Sequence, residues 1–184
     1  MRAFLAVALS EEARRAIGTT VDRLKPAYPG PRWVRAENLH LTVAFLGGIE
    51  EALIAALDAR LAPLAAGTRA RVLRLEGVGA FPPSRPRVLW LGLSDGGPWF
   101  VALASAVSEA IDTGLGLRLD HREPRAHVTL GRLDRPDRDA LRALGAAFEG
   151  RVFDSPADGL TLFSSVIRQG GPTYTSVREW PFAR

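Results

Sequence analysis

The sequence predicts an α/β protein of two similar lobes, and three observations carry that expectation. Strand, motif and helix occur in the same order twice along the chain. The two motifs, His40-Leu41-Thr42-Val43 and His127-Val128-Thr129-Leu130, share one frame: histidine, aliphatic, threonine, aliphatic. A hydrophobic fraction of 47% and a charged fraction of 24% over 184 residues are those of an ordinary soluble protein. That length suits one domain, or two small lobes sharing a core.

The apolar run Ala3-Phe4-Leu5-Ala6-Val7-Ala8-Leu9 imitates the start of a signal peptide, but it is short. Ser10-Glu11-Glu12 follows it and reads as a helix N-cap with acidic first-turn residues. The segment is therefore a buried strand over 2–9 leading into an amphipathic helix from about Glu11 to Lys25. Pro26, Pro29, Gly30 and Pro31 end that helix. Arg32-Trp33-Val34 leads toward a strand from Asn38 to Leu46, which carries the first motif and closes at Gly47-Gly48. A helix from about Glu50 to Ala66 places Leu53, Ala56, Leu57 and Leu61 on one stripe. Strands over 70–78 and 87–93 come next, split by the turn-rich Phe81-Pro82-Pro83-Ser84-Arg85-Pro86. Pro98 opens a helix to about Asp112. The strand Ala126–Leu130 holds the second motif, and a helix follows over 136–148. Strands near 151–153, 159–167 and 173–180 finish the chain, the last two joined by a turn at Gly170-Gly171-Pro172. No stretch is long enough to span a membrane.

In a strand, residues i and i+2 share a face. Each motif then presents an imidazole and a hydroxyl on one face and buries Leu41 with Val43, or Val128 with Leu130, on the other. A single His-x-Thr fits a half-buried strand whose ring is satisfied by a neighbour. The chain, however, has nine threonines and three histidines, and two of three histidines matching by accident is roughly a one-in-a-hundred event. Two imidazoles supply an acid and a base near neutral pH, since histidine titrates at about 6.5. A phosphodiester held between them would have one ring near the attacking oxygen and one near the leaving oxygen, the opposite placement that in-line displacement needs. Thr42 and Thr129 are placed to hydrogen-bond non-bridging oxygens. Arg132, five residues after His127, is placed to set its fork on the same phosphate, or else to stand as a solvated cation at a strand end.

The net charge is +4, and Lys25 is the only lysine, so the cationic side is almost wholly arginine. That bias suits a phosphate-bearing partner, and it equally suits a GC-rich genome. The absence of cysteine excludes disulfides and thiolate metal sites and fits a reducing cytoplasm. Asp120, His121, Glu123 and His127 are all ligand types within eight residues. Without His-Glu-x-x-His or a cysteine pair they read as a surface loop, so no metal is expected. Neither a Gly-x-x-x-x-Gly-Lys loop nor a Gly-x-Gly-x-x-Gly fingerprint points to a nucleotide cofactor. Of Phe45, Phe81, Trp33, Trp90, Tyr174 and Trp180, any could stack a base, but most read as core; Phe45 is expected on the face of Leu41 and Val43.

With these motifs the chain resembles the two-histidine phosphoesterases, and within them the bacterial and archaeal RNA 2',3'-cyclic phosphodiesterases, first named 2'-5' RNA ligases. The resemblance spans nearly the whole chain: Phe4-Leu5-Ala6-Val7-Ala8-Leu9, Asn38 to Gly47, Pro86-Arg87-Val88-Leu89-Trp90-Leu91-Gly92, His127 to Arg132, Gly171-Pro172-Thr173-Tyr174 and Trp180-Pro181-Phe182. One departure is Ala126 where the family usually has proline before the second motif, with Pro124 two residues earlier. The resemblance implies a single bilobal domain over 1–184, with pseudo-twofold symmetry and antiparallel sheets lining a central cleft, helices outside. It implies opening of RNA 2',3'-cyclic phosphate ends to 2'-phosphates without metal, ATP or other cofactor. His40 would give a proton to the departing 3'-oxygen, His127 would activate water, and Thr42, Thr129 and Arg132 would hold the phosphate. The expected partner is RNA with cyclic phosphate ends, tRNA fragments among the candidates, bound by a cytoplasmic monomer. The alternatives are an RNA-end binding protein without turnover and a reversible 2'-5' RNA ligase.

Overall fold

Strand β1 (Arg2–Ala8) is an almost unbroken apolar run, and such a run belongs inside a sheet covered on both faces. Positions 3–7 are indeed all buried, and β1 pairs antiparallel with β3 on one side and β8 on the other. The structure, a computed structural model, describes residues 1–112, 114–117, 119, 124–169 and 171–184. The suggested metal cluster at Asp120, His121 and Glu123 lies outside the described residues, and so does Gly170 of the last turn.

The elements follow the expected order. After β1 come α1 (Glu11–Asp22), β2 (Arg32–Trp33), a 3₁₀ turn at Ala36–Asn38 and β3 (His40–Gly48). Next are α2 (Leu53–Gly67), β4 (Arg71–Phe81), β5 (Val88–Asp95), α3 (Gly97–Asp112) and β6 (Val128–Arg132). The chain finishes with α4 (Arg138–Phe148), β7 (Phe153–Ala157), β8 (Gly159–Arg168) and β9 (Gly171–Pro181). Ser10 caps α1 as expected, its hydroxyl accepting the Ala13 amide at 3.2 Å.

Several boundaries differ from the sequence reading, each for a pairing reason. Helix α1 stops at Asp22 because the chain turns over 23–27 before the proline loop. β2, a two-residue strand absent from the sequence reading, exists because Arg32 and Trp33 pair with β6. β4 runs on to Phe81 instead of turning there, since β5 pairs with it through Phe81↔Val88. β6 begins at Val128, so His127 stands one residue before it and Arg132 is its last member. β7 covers 153–157 rather than 151–153 and includes Pro156, which an edge strand tolerates.

The strands form one path in the order β7-β4-β5-β6-β3-β1-β8-β9, with β2 added on β6. The path divides at its middle into two four-stranded lobes. Lobe 1 is β3-β1-β8-β9, and lobe 2 is β6-β5-β4-β7. They meet where β3 and β6 pair antiparallel at Leu41↔Val128. Helices α2 and α3 pack on lobe 1, through β9 and β3, while α1 and α4 pack on lobe 2, through β7 and β4. Each lobe therefore draws on both halves of the chain. The core lies between helices and sheet, with Leu5, Leu41, Leu89, Leu91, Val128 and Leu130 all fully buried. Burying one such side chain contributes about 1.5–3 kcal/mol.

Candidate active site

The Leu41↔Val128 pair fixes what faces what. Both residues are fully buried on the helix side, so their neighbours in each motif point to the other face. Continuing the antiparallel register by one residue sets His40 opposite Thr129 and Thr42 opposite His127. All four are half-buried. The two histidines thus lie on a diagonal of that pairing. The predicted constellation is brought together on one surface.

The rings are held alike. His40 Nδ1 donates to the Asn38 carbonyl at 2.6 Å, and His127 Nδ1 donates to the Arg125 carbonyl at 2.8 Å. A carbonyl only accepts, so in each ring the proton sits on Nδ1 and Nε2 carries the free lone pair. Both acceptors lie two residues before their histidine, which is the same device in both lobes. Nε2 of His40 accepts from the Thr42 hydroxyl at 3.0 Å. Burial lowers the His40 pKa to about 4, against the pull of the Asn38 hydrogen bond and with a smaller push from His127. Burial lowers that of His127 as well, aided by the nearby Arg132 and Arg125 guanidiniums and opposed by the Arg125 carbonyl. Both imidazoles are therefore neutral at pH 7 in the free protein.

Each motif ends in a bulge. In β3 the register with β1 slips between Ala6↔Thr42 and Leu5↔Ala44, leaving Val43 as the extra residue. In β6 the register with β5 slips between Trp90↔Thr129 and Leu89↔Gly131, leaving Leu130 as the extra residue. A bulge reverses the alternation beyond it. Arg132, which simple alternation would turn toward the core beside Leu130, emerges exposed on the histidine face. Its guanidinium depresses the pKa of His127, and it opposes the burial that raises the Tyr174 phenol. Phe45 is the correction that follows from the same cause. Expected beside Leu41 and Val43, it stands instead on the opposite face, 58% exposed.

Aromatic rings wall each histidine. In lobe 1 the His40 ring lies 4.8 Å from Phe4 and 5.4 Å from Tyr174, the latter edge-on, with Phe163 behind Phe4 at 5.4 Å. In lobe 2 His127 meets Phe81 edge-on at 5.1 Å, and Phe81 lies 5.2 Å from Trp90. The Arg125 guanidinium sits over Phe81 at 5.3 Å. Gly79 makes room for this wall, since a Cβ there would collide with the Trp90 ring. Trp33 and Trp180 are structural: Trp33 packs on Gly131 and donates to the Tyr28 carbonyl at 3.0 Å, and Trp180 donates to Asp58 at 2.8 Å. Phe4, Phe163 and Asn38 were not singled out in the sequence. Phe4 hid in the apolar run, and the Asn38 signal, an amide two residues before a motif histidine, acquires meaning only from its contacts. Its side chain, 7% exposed, donates to the Pro172 carbonyl at 2.8 Å and so ties the start of β9 to the segment that holds His40. Among the described residues no cluster of acidic or histidine side chains is arranged to hold a metal.

Two antiparallel lobes that present twinned His-x-Thr pairs across a shared seam define a two-histidine, pseudo-twofold protein. A family model for LigT-like phosphoesterases matches residues 7–90 and 101–174, and the chain belongs to that family. It is 31% identical over 179 residues to an RNA 2',3'-cyclic phosphodiesterase of Archaeoglobus fulgidus, covering 97% of this chain and 98% of the relative. It is 30% identical over 180 residues to one of Methanothermobacter thermautotrophicus, covering 96% of each. A solved structure from Thermus thermophilus matches with a TM-score of 0.79 at 28% identity, covering 99% of this chain and 98% of that one. Escherichia coli LigT, solved with 3'-AMP, matches with a TM-score of 0.71 at 25% identity, covering 100% and 98%.

Proposed function

We propose that this protein hydrolyses RNA 2',3'-cyclic phosphate ends to 2'-phosphates, with His40 and His127 as the acid and base. The convergence of His40, Thr42, His127 and Thr129 on one face, with Arg132 lifted onto it, is the observation that carries this reading. The names of the relatives, RNA 2',3'-cyclic phosphodiesterases at about 30% identity, support the substrate class.

The Nε2 lone pair of His127 takes a proton from water as its oxygen attacks phosphorus. The P–O3' bond breaks in line with that attack, and O3' takes a proton from Nε2–H of protonated His40. The substrate's negative charge is what raises His40 from its low free value toward protonation. Once that ring is protonated, its Nε2 no longer accepts the Thr42 hydroxyl, which is then released to donate to a non-bridging oxygen. Thr129 does the same from the other strand, and Arg132 offers charge-assisted hydrogen bonds to the same oxygens. Every group named is a side chain of this chain, so the reading involves neither metal nor nucleotide. It also holds that residues 1–184 act as one bilobal cytoplasmic unit, a monomer with RNA as its partner, tRNA fragments included.

The test is incubation of the purified protein with a 2',3'-cyclic-phosphate oligonucleotide in EDTA. A 2'-phosphate product is expected. Recovery of a chelated, inactive sample by Zn²⁺ or Mg²⁺ would overturn metal independence, and tight binding without turnover would favour an RNA-end binding protein. Joining of a 5'-hydroxyl strand through a 2'-5' linkage would mark the ligase direction.

A further inference from the structure

The approximate two-fold axis through the Leu41↔Val128 pair turns lobe 1 onto lobe 2, matching β3 with β6 and β1 with β5. It therefore matches two rims of the molecule. Rim 1 lies where β3 ends, β1 begins and β8 ends, since Gly48 pairs with Arg2 and Arg2 with Ser165. Rim 2 lies where β6 ends, β5 begins and β4 ends, since Arg132 pairs with Val88 and Val88 with Phe81. The axis sets the rims on opposite sides of the histidine face. A chain attached to a cyclic end held there can be guided over one or the other.

The chemistry of the two rims is unlike. Rim 1 runs on into Glu50 and Glu51, both exposed, and presents the apolar Val166 and Ile167, 52% and 74% exposed. Rim 2 carries Arg85, Arg87, Arg135 and Arg138, all exposed, on two short segments. Hydrogen bonds lace these segments together. The Leu133 amide donates to the Arg87 carbonyl at 2.8 Å, the Arg87 guanidinium to the Asp134 carbonyl, and the Arg138 guanidinium to the Ser84 carbonyl at 3.2 Å. A carbonyl orients a guanidinium without cancelling its charge. The carboxylates nearby are occupied by other groups. Asp134 pairs with Arg32 at 2.8 Å, Asp137 accepts the amides of Asp139 and Ala140 at 2.9 Å each, and Asp139 pairs with Arg142 at 2.8 Å. Among the described residues, none of the four rim arginines has a carboxylate partner. Like charges gathered on one ridge repel one another, and an anionic polymer relieves that repulsion. Pro82, Pro83, Pro86 and Pro136 fix φ along both segments, so the ridge has little left to order on binding.

We infer that rim 2 is a track for the sugar-phosphate backbone of RNA on the 5' side of the cyclic end, so that the strand leaves the site over lobe 2 and not over lobe 1. Arg85, Arg87, Arg135 and Arg138 neutralise phosphates of the strand, for which guanidinium forks are well matched. Such contacts hold the backbone and read no sequence. The track favours strands over mononucleotides, because a 2',3'-cyclic mononucleotide has no 5' phosphodiester to lay on it. This path rests on the proposed function for the place of the cyclic end, and adds the length of the substrate to it.

Binding is the first measurement, because it needs no turnover. Fluorescence anisotropy follows a 5'-labelled RNA hexanucleotide ending in a 2'-phosphate, and adenosine 2'-phosphate is measured by competition. The double variant Arg85→Gln with Arg135→Gln breaks no side-chain hydrogen bond or ion pair among the described residues, so it should fold as wild type does. It should weaken the hexanucleotide roughly 10-fold and leave adenosine 2'-phosphate within about twofold. Its plot of log affinity against log salt should flatten by roughly 0.7 for each guanidinium lost. The corresponding change on rim 1, Arg2→Gln with Arg168→Gln, should cost the hexanucleotide less than about twofold. Turnover is the second measurement. In wild type KM should be lower for a cyclic-ended hexanucleotide than for a cyclic mononucleotide, with kcat little changed, and the rim 2 double variant should erase that gain. Equal losses from the two rims would mean diffuse attraction by net charge and would overturn the track. A loss shared equally by hexanucleotide and mononucleotide would overturn it too. Tight, rim 2-dependent binding by a wild type that opens no cyclic phosphate would instead overturn the proposed function and leave the track standing.

Discussion

His40 and His127 occupy equivalent positions in equivalent strands, yet their surroundings hold them neutral by different means. His40 sits among Phe4, Phe163 and Tyr174, and its depressed pKa of about 4 comes first from burial. His127 is also held down first by burial, but two guanidiniums, Arg132 and Arg125, add to the effect. Burial cannot be screened by salt, whereas exposed cations can. One motif placed in two lobes thus yields two imidazoles that respond differently to the same solvent. The lesson is that a repeated sequence frame fixes orientation, and the flanking wall fixes proton affinity.

The largest test of this comparison removes each ring. His40→Ala and His127→Ala should each lower turnover by roughly 10²–10⁴, the usual worth of one acid or base. The double variant should lose far less than the product of the two, because groups acting as a unit are not additive. Near-normal turnover in either single variant would end the two-imidazole mechanism.

Stability against acid should distinguish the lobes next. A ring that stays neutral in the fold but takes a proton when unfolded makes stability fall with falling pH. For His40 the stabilising contribution is fully present above its unfolded value of 6.5. It is lost as pH falls from there to about 4. The loss amounts to about 3 kcal/mol by the shift in pKa. Urea denaturation of His40→Ala at pH 7 and pH 4 should show the wild-type acid loss reduced by an amount of that order.

A third effect concerns rate and pH. With both pKa values lowered in the free protein, kcat/KM should be bell-shaped with its optimum below pH 6.5. It should fall on the acid side as the base is protonated and on the basic side as the acid loses its proton. The limbs belong to the coupled pair, so NMR titration of each ring is the measurement that assigns them. Raising the ionic strength, or Arg132→Ala, should move the His127 titration upward by screening or removing a cation and leave His40 nearly fixed. Equal movement of both rings would erase the distinction between the lobes. Arg132→Ala should also weaken substrate binding and slow turnover, leaving the product isomer unchanged.

The smallest effect is expected at Asn38. Asn38→Ala removes the hydrogen bond to the Pro172 carbonyl, worth about 1 kcal/mol, and loosens β9 with Tyr174 from His40. The His40 pKa should rise toward 6.5 as water gains access, while that of His127 stays put. A stability loss with no movement of the His40 titration would make the amide a structural staple alone.

Much of the site was legible in the sequence because it rests on local rules. A period-two strand places His40 with Thr42, and His127 with Thr129, on one face whatever surrounds it, and the buried Leu41 and Val128 bear that out. The N-cap at Ser10, the order of the elements and the recurrence of the motif needed no partner to be read. The family pattern added the two-lobed fold. What tertiary structure decided is everything that depends on pairing. Each lobe is assembled from both halves of the chain, and two motifs 87 residues apart meet only because β3 lies beside β6. The bulges at Val43 and Leu130 arise from the registers with β1 and β5, and no local composition marks them. They turn Phe45 away from the core and bring Arg132 onto the histidine face. Local alternation states which residues share a face, but an extra residue in the partner register reverses that rule from the next position on. For this reason the shared faces of the four central side chains follow from local alternation, whereas their neighbours follow only from the assembled sheet.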